Sequence, residues 1–187
     1  MSDPNRIRRQ QVLREAEGYL DLITVFGSKW PCRPDVRDQV ATRVLITLDR
    51  IQNPGGLRAH ILFLRGQALR TMERYADAVK PLREAADLEP ANFHVRLALA
   101  WCYKRVRRLD LAIQALEEAI EADPDQPILH YNLACYWSLA GNVKFACSYL
   151  SQAFDLQPDY RDLVGSERDF DPIRKHPYFQ SLTSVIV

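Results

Sequence analysis

Apolar residues recur along the chain with the spacing of amphipathic helices, and between residues 59 and 158 this pattern itself repeats. The same residue types return every 34 positions without an insertion. Four columns keep this register: Ala78, Ala112 and Ala146; Leu82, Leu116 and Leu150; Ala85, Ala119 and Ala153; Pro90, Pro124 and Pro158. A fixed period of this length is typical of stacked repeats in which each copy is one pair of helices.

Each copy contains two stretches of helical apolar spacing, which predict two helices. The predicted helices cover 59–72 and 75–88, 93–106 and 109–122, and 127–140 and 143–156. An alanine early in each second helix allows the first helix to approach closely, and Gly66, Ala100 and Ala134 are the small residues expected to face it. A proline ends each second helix because it disfavours helical geometry in the preceding residue.

The period, the alanine columns and the terminal prolines together resemble the tetratricopeptide repeat family. The resemblance implies three repeats, 59–92, 93–126 and 127–160, within an all-α, right-handed superhelix. First helices would line its concave face and second helices its convex face. The chain departs from the family pattern at a bulky position of the first helix, which is Leu62, Arg96 and His130, and at the turn glycine, which is present only as Gly141.

The two ends of the chain lack the repeat but keep an apolar pattern. Residues 5–28 and 35–52 predict two further helices, which we interpret as a degenerate pair that caps the repeats within a region 1–58. Residues 161–187 are interpreted as a C-terminal capping segment with a closing helix that seals the last apolar face. Residues 169–179 resemble the closing segment of many bacterial tetratricopeptide arrays; a partner-binding tail is the alternative.

Charge and cysteine content argue against a nucleic-acid-binding, a membrane-bound or a disulfide-stabilised protein. The chain has 25 Lys and Arg residues against 24 Asp and Glu residues, so no global field draws it to nucleic acid or to a membrane. No apolar run approaches the roughly 20 residues of a membrane span, and no signal peptide is visible, so we expect a cytoplasmic protein. Cys32, Cys102, Cys135 and Cys147 show neither a disulfide framework nor a zinc-ligand spacing and are expected to be buried thiols.

The family resemblance implies which side chains face the concave groove. They are the second, fifth, ninth, twelfth and thirteenth residues of each first helix. In this chain they are His60, Phe63, Gln67, Arg70 and Thr71; His94, Leu97, Trp101, Lys104 and Arg105; and Ile128, Tyr131, Cys135, Ser138 and Leu139, with Asn132 adjacent.

These positions combine an apolar strip with a basic rim. Such a surface suits a peptide that carries apolar anchors and an acidic residue or a free carboxylate. Trp101 is the strongest candidate anchor, because tryptophan and arginine dominate measured interfaces. The alternative is that the N-terminal helices or the C-terminal segment of the chain itself occupy the groove.

Other candidate chemistry is sparse. Residues 104–108 place four positive charges around one turn, which could meet phosphate or an acidic partner or could simply be a solvated turn. The tetratricopeptide subset that grips the carboxylate of chaperone tails uses groove positions of which only Asn132 matches here. His60 and His94 occupy equivalent places but lack a third metal ligand. No phosphate loop or nucleophile elbow is present.

The sequence therefore predicts a non-enzymatic scaffold or adaptor that binds a protein or peptide partner and needs no cofactor, metal or small-molecule substrate. Two alternatives remain open. One is a chaperone for an apolar segment of a secreted or assembling client, and the other is a homo-oligomeric scaffold in which the N-terminal helices exchange between chains.

Overall fold

The computed structural model describes residues 4–29 and 33–184, and the side chains of 6–24 and 33–184. The chain divides into two compact units, Met1–Glu89 and Pro90–Val187, called unit 1 and unit 2 below. The helices of unit 1 are α1 (Pro4–Lys29), α2 (Pro34–Asp49), α3 (Arg58–Thr71) and α4 (Tyr75–Leu88). Those of unit 2 are α5 (Phe93–Arg105), α6 (Leu109–Ala122), α7 (Pro127–Leu139), α8 (Val143–Leu156), α9 (Tyr160–Val164) and α10 (Pro177–Thr183).

The helix pairs predicted from the 34-residue period are confirmed. The bounds of α4, α6 and α8 agree with the prediction to the residue, and each of these helices ends two residues before its proline. The two N-terminal helices are also confirmed. However, α2 ends at Asp49 rather than at residue 52, and a single 3₁₀ turn at Gly55–Leu57 precedes α3.

The alanine and leucine columns are packing positions in both units. All nine alanines and leucines of these columns have no exposed surface. The α3 helix has a glycine, Gly66, where it contacts α4. A Cβ at this position would overlap the side chain of Leu82. In unit 1, α1 and α2 add a core of small and aliphatic side chains that includes Ala16, Ala41 and Val44.

The turn between the two helices of each pair is left-handed, even where the residue is not glycine. Glu73, Arg107 and Gly141 occupy equivalent positions with φ of 59°, 62° and 75°. The N–H of the following residue returns to the first helix in every copy, as in the bond from the Arg108 N–H to the Tyr103 carbonyl at 2.9 Å. This is the arrangement of a helix C-cap in the left-handed conformation, which a glycine adopts without strain.

Two of the residues that depart from the family pattern make equivalent hydrogen bonds. Arg96 Nε donates to the carbonyl of Pro90 at 3.1 Å, and His130 Nε2 donates to the carbonyl of Pro124 at 2.7 Å. Arg96 also pairs with Glu118. These polar side chains therefore tie the start of a first helix to the proline turn that precedes it.

The C-terminal segment differs from the single closing helix predicted for it. It consists of α9, a 3₁₀ turn at Arg168–Phe170 and the seven-residue α10. Pro172 and Pro177 lack the backbone N–H that a continuous helix would require between these pieces. Its apolar residues still close the end of unit 2, since Val164, Phe170, Ile173 and Phe179 are buried.

Candidate functional site

The predicted groove residues of unit 1 lie on α3. His60 Nε2 lies 2.7 Å from Glu17 Oε1 on α1, so the first of these positions already has a carboxylate partner. Phe63, Gln67 and Arg70 are partly buried. The side-chain oxygen of Gln67 is buried without a hydrogen-bond donor among the described residues, which leaves an acceptor in the middle of this row.

The α5 helix of unit 2 carries four predicted groove residues on one face. His94 and Arg105 are exposed, whereas Leu97 and Trp101 are partly buried. Spacings of three and four residues align these side chains along the helix. The guanidinium carbon of Arg105 lies 5.5 Å from the centroid of the Trp101 ring, within the range of a cation–π interaction. This face joins an apolar surface to a positive charge.

The fifth predicted residue of α5, Lys104, instead contacts the C-terminal segment of the same unit. Lys104 Nζ forms an ion pair with the Asp169 carboxylate. The Ser138 hydroxyl on α7 donates to the Asp169 carbonyl at 2.7 Å. Asp169 therefore bridges α5 and α7 through its side chain and its backbone.

Aromatic side chains extend this contact along α7. The Phe170 ring has no exposed surface and meets the Tyr131 ring edge-on, with centroids 5.7 Å apart. The Tyr160 ring lies 5.0 Å from the same tyrosine, and Phe179 packs behind Phe170 at 5.3 Å. Tyr131, Cys135 and Ser138 are all buried. Three groove positions of the third repeat are thus buried where the C-terminal segment joins α7.

Burial also determines the chemistry of these α7 residues. Removal from water raises the pKa of the Cys135 thiol and of the Tyr131 and Tyr136 hydroxyls far above their ordinary values, with nearby acidic groups adding to the effect. Cys135 is therefore a neutral thiol at physiological pH, because the thiolate is the disfavoured form. Both tyrosine hydroxyls are buried without a hydrogen-bond partner in the described part of the chain.

The C-terminal segment is held in shape by one arginine. Arg174 donates to the Val164 carbonyl at 3.1 Å and to the Glu167 carbonyl at 2.6 Å. It also pairs with Asp171 at 3.0 Å. Sequence analysis left open that the C-terminal segment occupies the groove, but it did not single out Asp169 and Phe170 as the residues that make the contact. The signal available was their place in the stretch 169–179 that resembles other closing segments.

The remaining predicted residues have contacts within their own elements. Asn132 donates to the Ile128 carbonyl one turn earlier at 2.8 Å. In the basic turn 104–108, Arg108 pairs with Asp110 at 2.9 Å, and this hydrogen bond lowers the pKa of the aspartate. Lys104 is paired as well, so the first and the last cation of this turn both have a carboxylate partner within unit 2.

The cysteine prediction is confirmed for three residues. Cys102, Cys135 and Cys147 are buried free thiols, whereas Cys32 lies outside the described residues. Within the described ranges, no cluster of His, Cys, Asp and Glu side chains could hold a metal ion. None of the helices that the structure describes combines the length and the apolar composition needed to cross a bilayer.

Comparison with known proteins relates the central helices of the chain to one family of repeats. Residues 69–134 match the family model of a tetratricopeptide repeat. A structure titled as the MamA protein is 17% identical, with 87% of this chain and 79% of that chain covered and a TM-score of 0.65. No curated protein sequence matches the chain.

Two further solved structures have titles that mention peptides. YrrB, described as a TPR protein with an unusual peptide-binding site, is 18% identical over 84% of each chain, with a TM-score of 0.61. The type III secretion chaperone SycD of Yersinia enterocolitica, in complex with a peptide of the translocator YopD, is 21% identical, with 65% of this chain and 88% of that chain covered and a TM-score of 0.53.

These likenesses concern the fold, and they agree with the helix pairs and packing columns described above. The fold class predicted from the period, an all-α tetratricopeptide solenoid, is confirmed. The match over residues 69–134, together with the shared fold, shows tetratricopeptide repeats in the central part of this chain.

Proposed function

We propose that this protein is a non-enzymatic scaffold or adaptor that binds a peptide segment of a protein partner on the α5 face of unit 2. The residues assigned to this site are His94, Leu97, Trp101 and Arg105. The α3 residues of unit 1, His60, Phe63, Gln67 and Arg70, are proposed as a second row of contacts on that unit.

One observation carries the proposal: the surface next to this α5 face already holds a polypeptide segment. Lys104 pairs with an acidic side chain, Ser138 donates to a backbone carbonyl, and Tyr131 packs on an aromatic ring. A bound peptide would be recognised by the same three kinds of contact. The α5 face carries groups of the same kinds, since the Arg105 guanidinium can donate to a carboxylate and the Trp101 ring presents an apolar surface.

The groove residues that contact the C-terminal segment are assigned a different role. Lys104, Tyr131, Cys135 and Ser138 are assigned to holding the C-terminal segment rather than the partner. Release of that segment would expose Phe170, Phe179 and two further buried apolar residues, each worth about 1.5–3 kcal/mol. A partner of ordinary affinity is therefore expected to bind beside the segment and leave it in place.

Two solved structures of this fold support a binding role in general terms. YrrB is described with a peptide-binding site and SycD in complex with a peptide, and both share the fold of this chain. Their sequences differ too much from this one to assign a partner. A non-enzymatic role and a cytoplasmic location stay predictions from the sequence.

The proposal is tested by isolating the partner and then weakening the α5 face. Partners that co-purify with the intact protein are identified by mass spectrometry, and the affinity of the chosen partner is measured by calorimetry. Trp101→Ala combined with Arg105→Glu is expected to weaken binding by at least about thirtyfold, since such anchors often contribute about 2 kcal/mol or more. Arg107→Glu, an exposed cation in the adjoining turn, is the matched control.

Unchanged binding by the double variant, with helicity also unchanged, would place the partner elsewhere. The two single variants separate an adaptor from a chaperone, whose client segment is apolar and needs no carboxylate contact. Binding that depends on Trp101 but tolerates Arg105→Glu would favour the chaperone. Dependence on both residues favours a peptide with an acidic group beside an apolar anchor.

A further inference from the structure

Unit 1 contains a cavity on the side of α3 that is turned away from the predicted groove residues. It has a volume of about 420 Å³ and is lined by residues of α2, α3 and α4. The α3 residues that line it are Leu62, Arg65 and Leu69, whose spacing of three and four positions places them on one stripe of the helix. With about 3.6 residues per turn, this stripe lies nearly opposite His60 and Gln67. The cavity is therefore a surface that the proposed peptide site does not use.

The walls of the cavity are apolar. Leu45 comes from α2, Leu62 and Leu69 come from α3, and Pro81 comes from α4. All four side chains are partly buried, so each keeps some surface open to solvent. An apolar group placed between the three helices would remove this surface from water.

The charged residues at the rim leave one cation without a carboxylate. Three of the four charged residues that line the cavity form ion pairs within unit 1: Arg65 with Asp49, Arg74 with Asp77, and Glu84 with Arg58. Lys80, the fourth, is exposed and has no carboxylate partner in the part of the chain that the structure describes. The apolar surface thus adjoins a positive charge that is available to another molecule.

The second repeat shows how the same positions can be filled from within the chain. The 34-residue step relates Leu62 to Arg96 and Glu84 to Glu118. Arg96 and Glu118 form an ion pair that connects α5 to α6. Leu62 is shorter and carries no charge, so it cannot form this bridge with Glu84.

The third repeat fills these positions with rings. His130 and Tyr149 are equivalent to Leu62 and Pro81, and their rings lie 6.2 Å apart. Pro81 lies inside α4, where proline destabilises a helix because it lacks a backbone N–H. Helix stability therefore does not account for Pro81, which keeps this wall short and apolar. An aromatic ring from another molecule could take the place that Tyr149 takes in the third repeat.

We propose that this cavity binds an aromatic side chain of a protein partner, with an acidic residue beside it in the partner's sequence. The leucine and proline walls suit the faces of an aromatic ring, which buries a large apolar area. The Lys80 ammonium can donate a charge-assisted hydrogen bond to the neighbouring carboxylate. All the residues of this site lie in unit 1, so the proposal does not depend on the peptide site of α5.

A synthetic peptide with one phenylalanine between two aspartates tests the site. It is titrated into the full chain labelled with ¹⁵N, and the amide signals of residues 62–69 and 80–84 are expected to shift most. A matched peptide with alanine in place of phenylalanine should cause no such shifts. A peptide with lysine in place of both aspartates should bind at least about fivefold more weakly, because it repels Lys80. The free acid 3-phenylpropionate should also bind more weakly than the phenylalanine peptide.

Variants test the named residues. Leu62→Arg introduces the side chain that the second repeat has at this position, and the new guanidinium can pair with Glu84. It should keep the helicity and weaken binding of the phenylalanine peptide at least about thirtyfold, because the apolar walls are then covered. Lys80→Gln should weaken binding about fivefold. Arg83→Gln, which replaces an exposed cation of α4 that does not line the cavity, is the matched control and should bind normally.

Three results of the variant and peptide measurements would overturn the proposal. They are the absence of shifts with the phenylalanine peptide at about 5 mM, normal binding by Leu62→Arg with unchanged helicity, and equal weakening by Arg83→Gln and Lys80→Gln. Shifts confined to residues 94–105 would assign the peptide to the α5 face and would also overturn it. Binding of 3-phenylpropionate as tight as that of the peptide would contradict the assignment to a protein partner.

Discussion

The two ends of the chain complete the repeats in different ways. In unit 1, two long helices, α1 and α2, cover α3 with small and aliphatic side chains such as Ala16, Ala41 and Val44. In unit 2, three short pieces pack on α7 and α8 with aromatic rings, and an ion pair between Lys104 and Asp169 joins them to α5.

The difference shows that a terminal segment can contact one predicted groove position of its repeat or bury several of them. The N-terminal helices reach the predicted groove residues of α3 through a pair between Glu17 and His60. The C-terminal segment instead contacts Tyr131 and Ser138 directly, and both are buried. At one end a helix pair packs on α3, whereas at the other a non-repeating segment acts as an internal ligand of its own repeat.

The largest expected effect concerns the packing that both units share. Ala112 has no exposed surface, so Ala112→Arg places a charge in a close contact between helices and should unfold unit 2, with a loss above about 4 kcal/mol. Thermal melting followed by circular dichroism measures this. Ala122→Arg, at an exposed position of the same helix, should melt normally. A normal melting temperature for Ala112→Arg would contradict the packing register.

The second prediction opens the C-terminal closure alone. Phe170→Ala removes a buried ring and should cost about 3–5 kcal/mol. It should also speed alkylation of Cys135, because the burial that raises the pKa of this thiol is partly lost. Peptide mapping by mass spectrometry after iodoacetamide treatment measures the rate. Tyr178→Ala, an exposed aromatic nearby, should change neither stability nor labelling.

The third prediction compares one ion pair from each end. The side chains of Lys104 and Asp169 are 23% and 18% exposed, whereas those of Arg50 and Glu15 are 53% and 41% exposed. The coupling free energy of the first pair should be about 1–3 kcal/mol and that of the second below about 1 kcal/mol, because water screens exposed charges. Double-mutant cycles with alanine, measured by urea unfolding, give both values; equal coupling would remove this distinction.

The last prediction concerns two glycines of unit 1. Gly66→Ala should destabilise by about 1–3 kcal/mol, since the new methyl group meets Leu82. Gly18→Ala should stabilise by about 0.5–1 kcal/mol, because it lies within α1 with nothing close to the added Cβ. Urea unfolding of the two variants should therefore show shifts of opposite sign. Shifts of the same sign would contradict the packing of α3 on α4.

The repeat period accounts for the part of the fold that could be predicted. Helices α4, α6 and α8 end as expected because each is followed by a proline at the same position, and the buried alanines recur with them. The C-terminal segment has no such copies, and Pro172 and Pro177 divide it into pieces that apolar spacing alone did not reveal.

The sequence could predict which helix carries each residue of the candidate site, but not which residues contact it. Periodicity correctly placed Tyr131 and Ser138 on the same helix, but it could not show that Asp169 and Phe170 cover them. That contact joins residues about thirty positions apart through a segment without a repeat, and only the tertiary structure defines it.

The left-handed turns leave room to raise the free energy of unfolding of this chain. Glu73 and Arg107 hold a backbone conformation that costs a side chain roughly 1 kcal/mol, whereas Gly141 holds it without that cost. Two of three equivalent turns are therefore suboptimal for folding. Natural proteins need only enough stability to function, and such positions allow later substitutions elsewhere to be compensated by a single change to glycine.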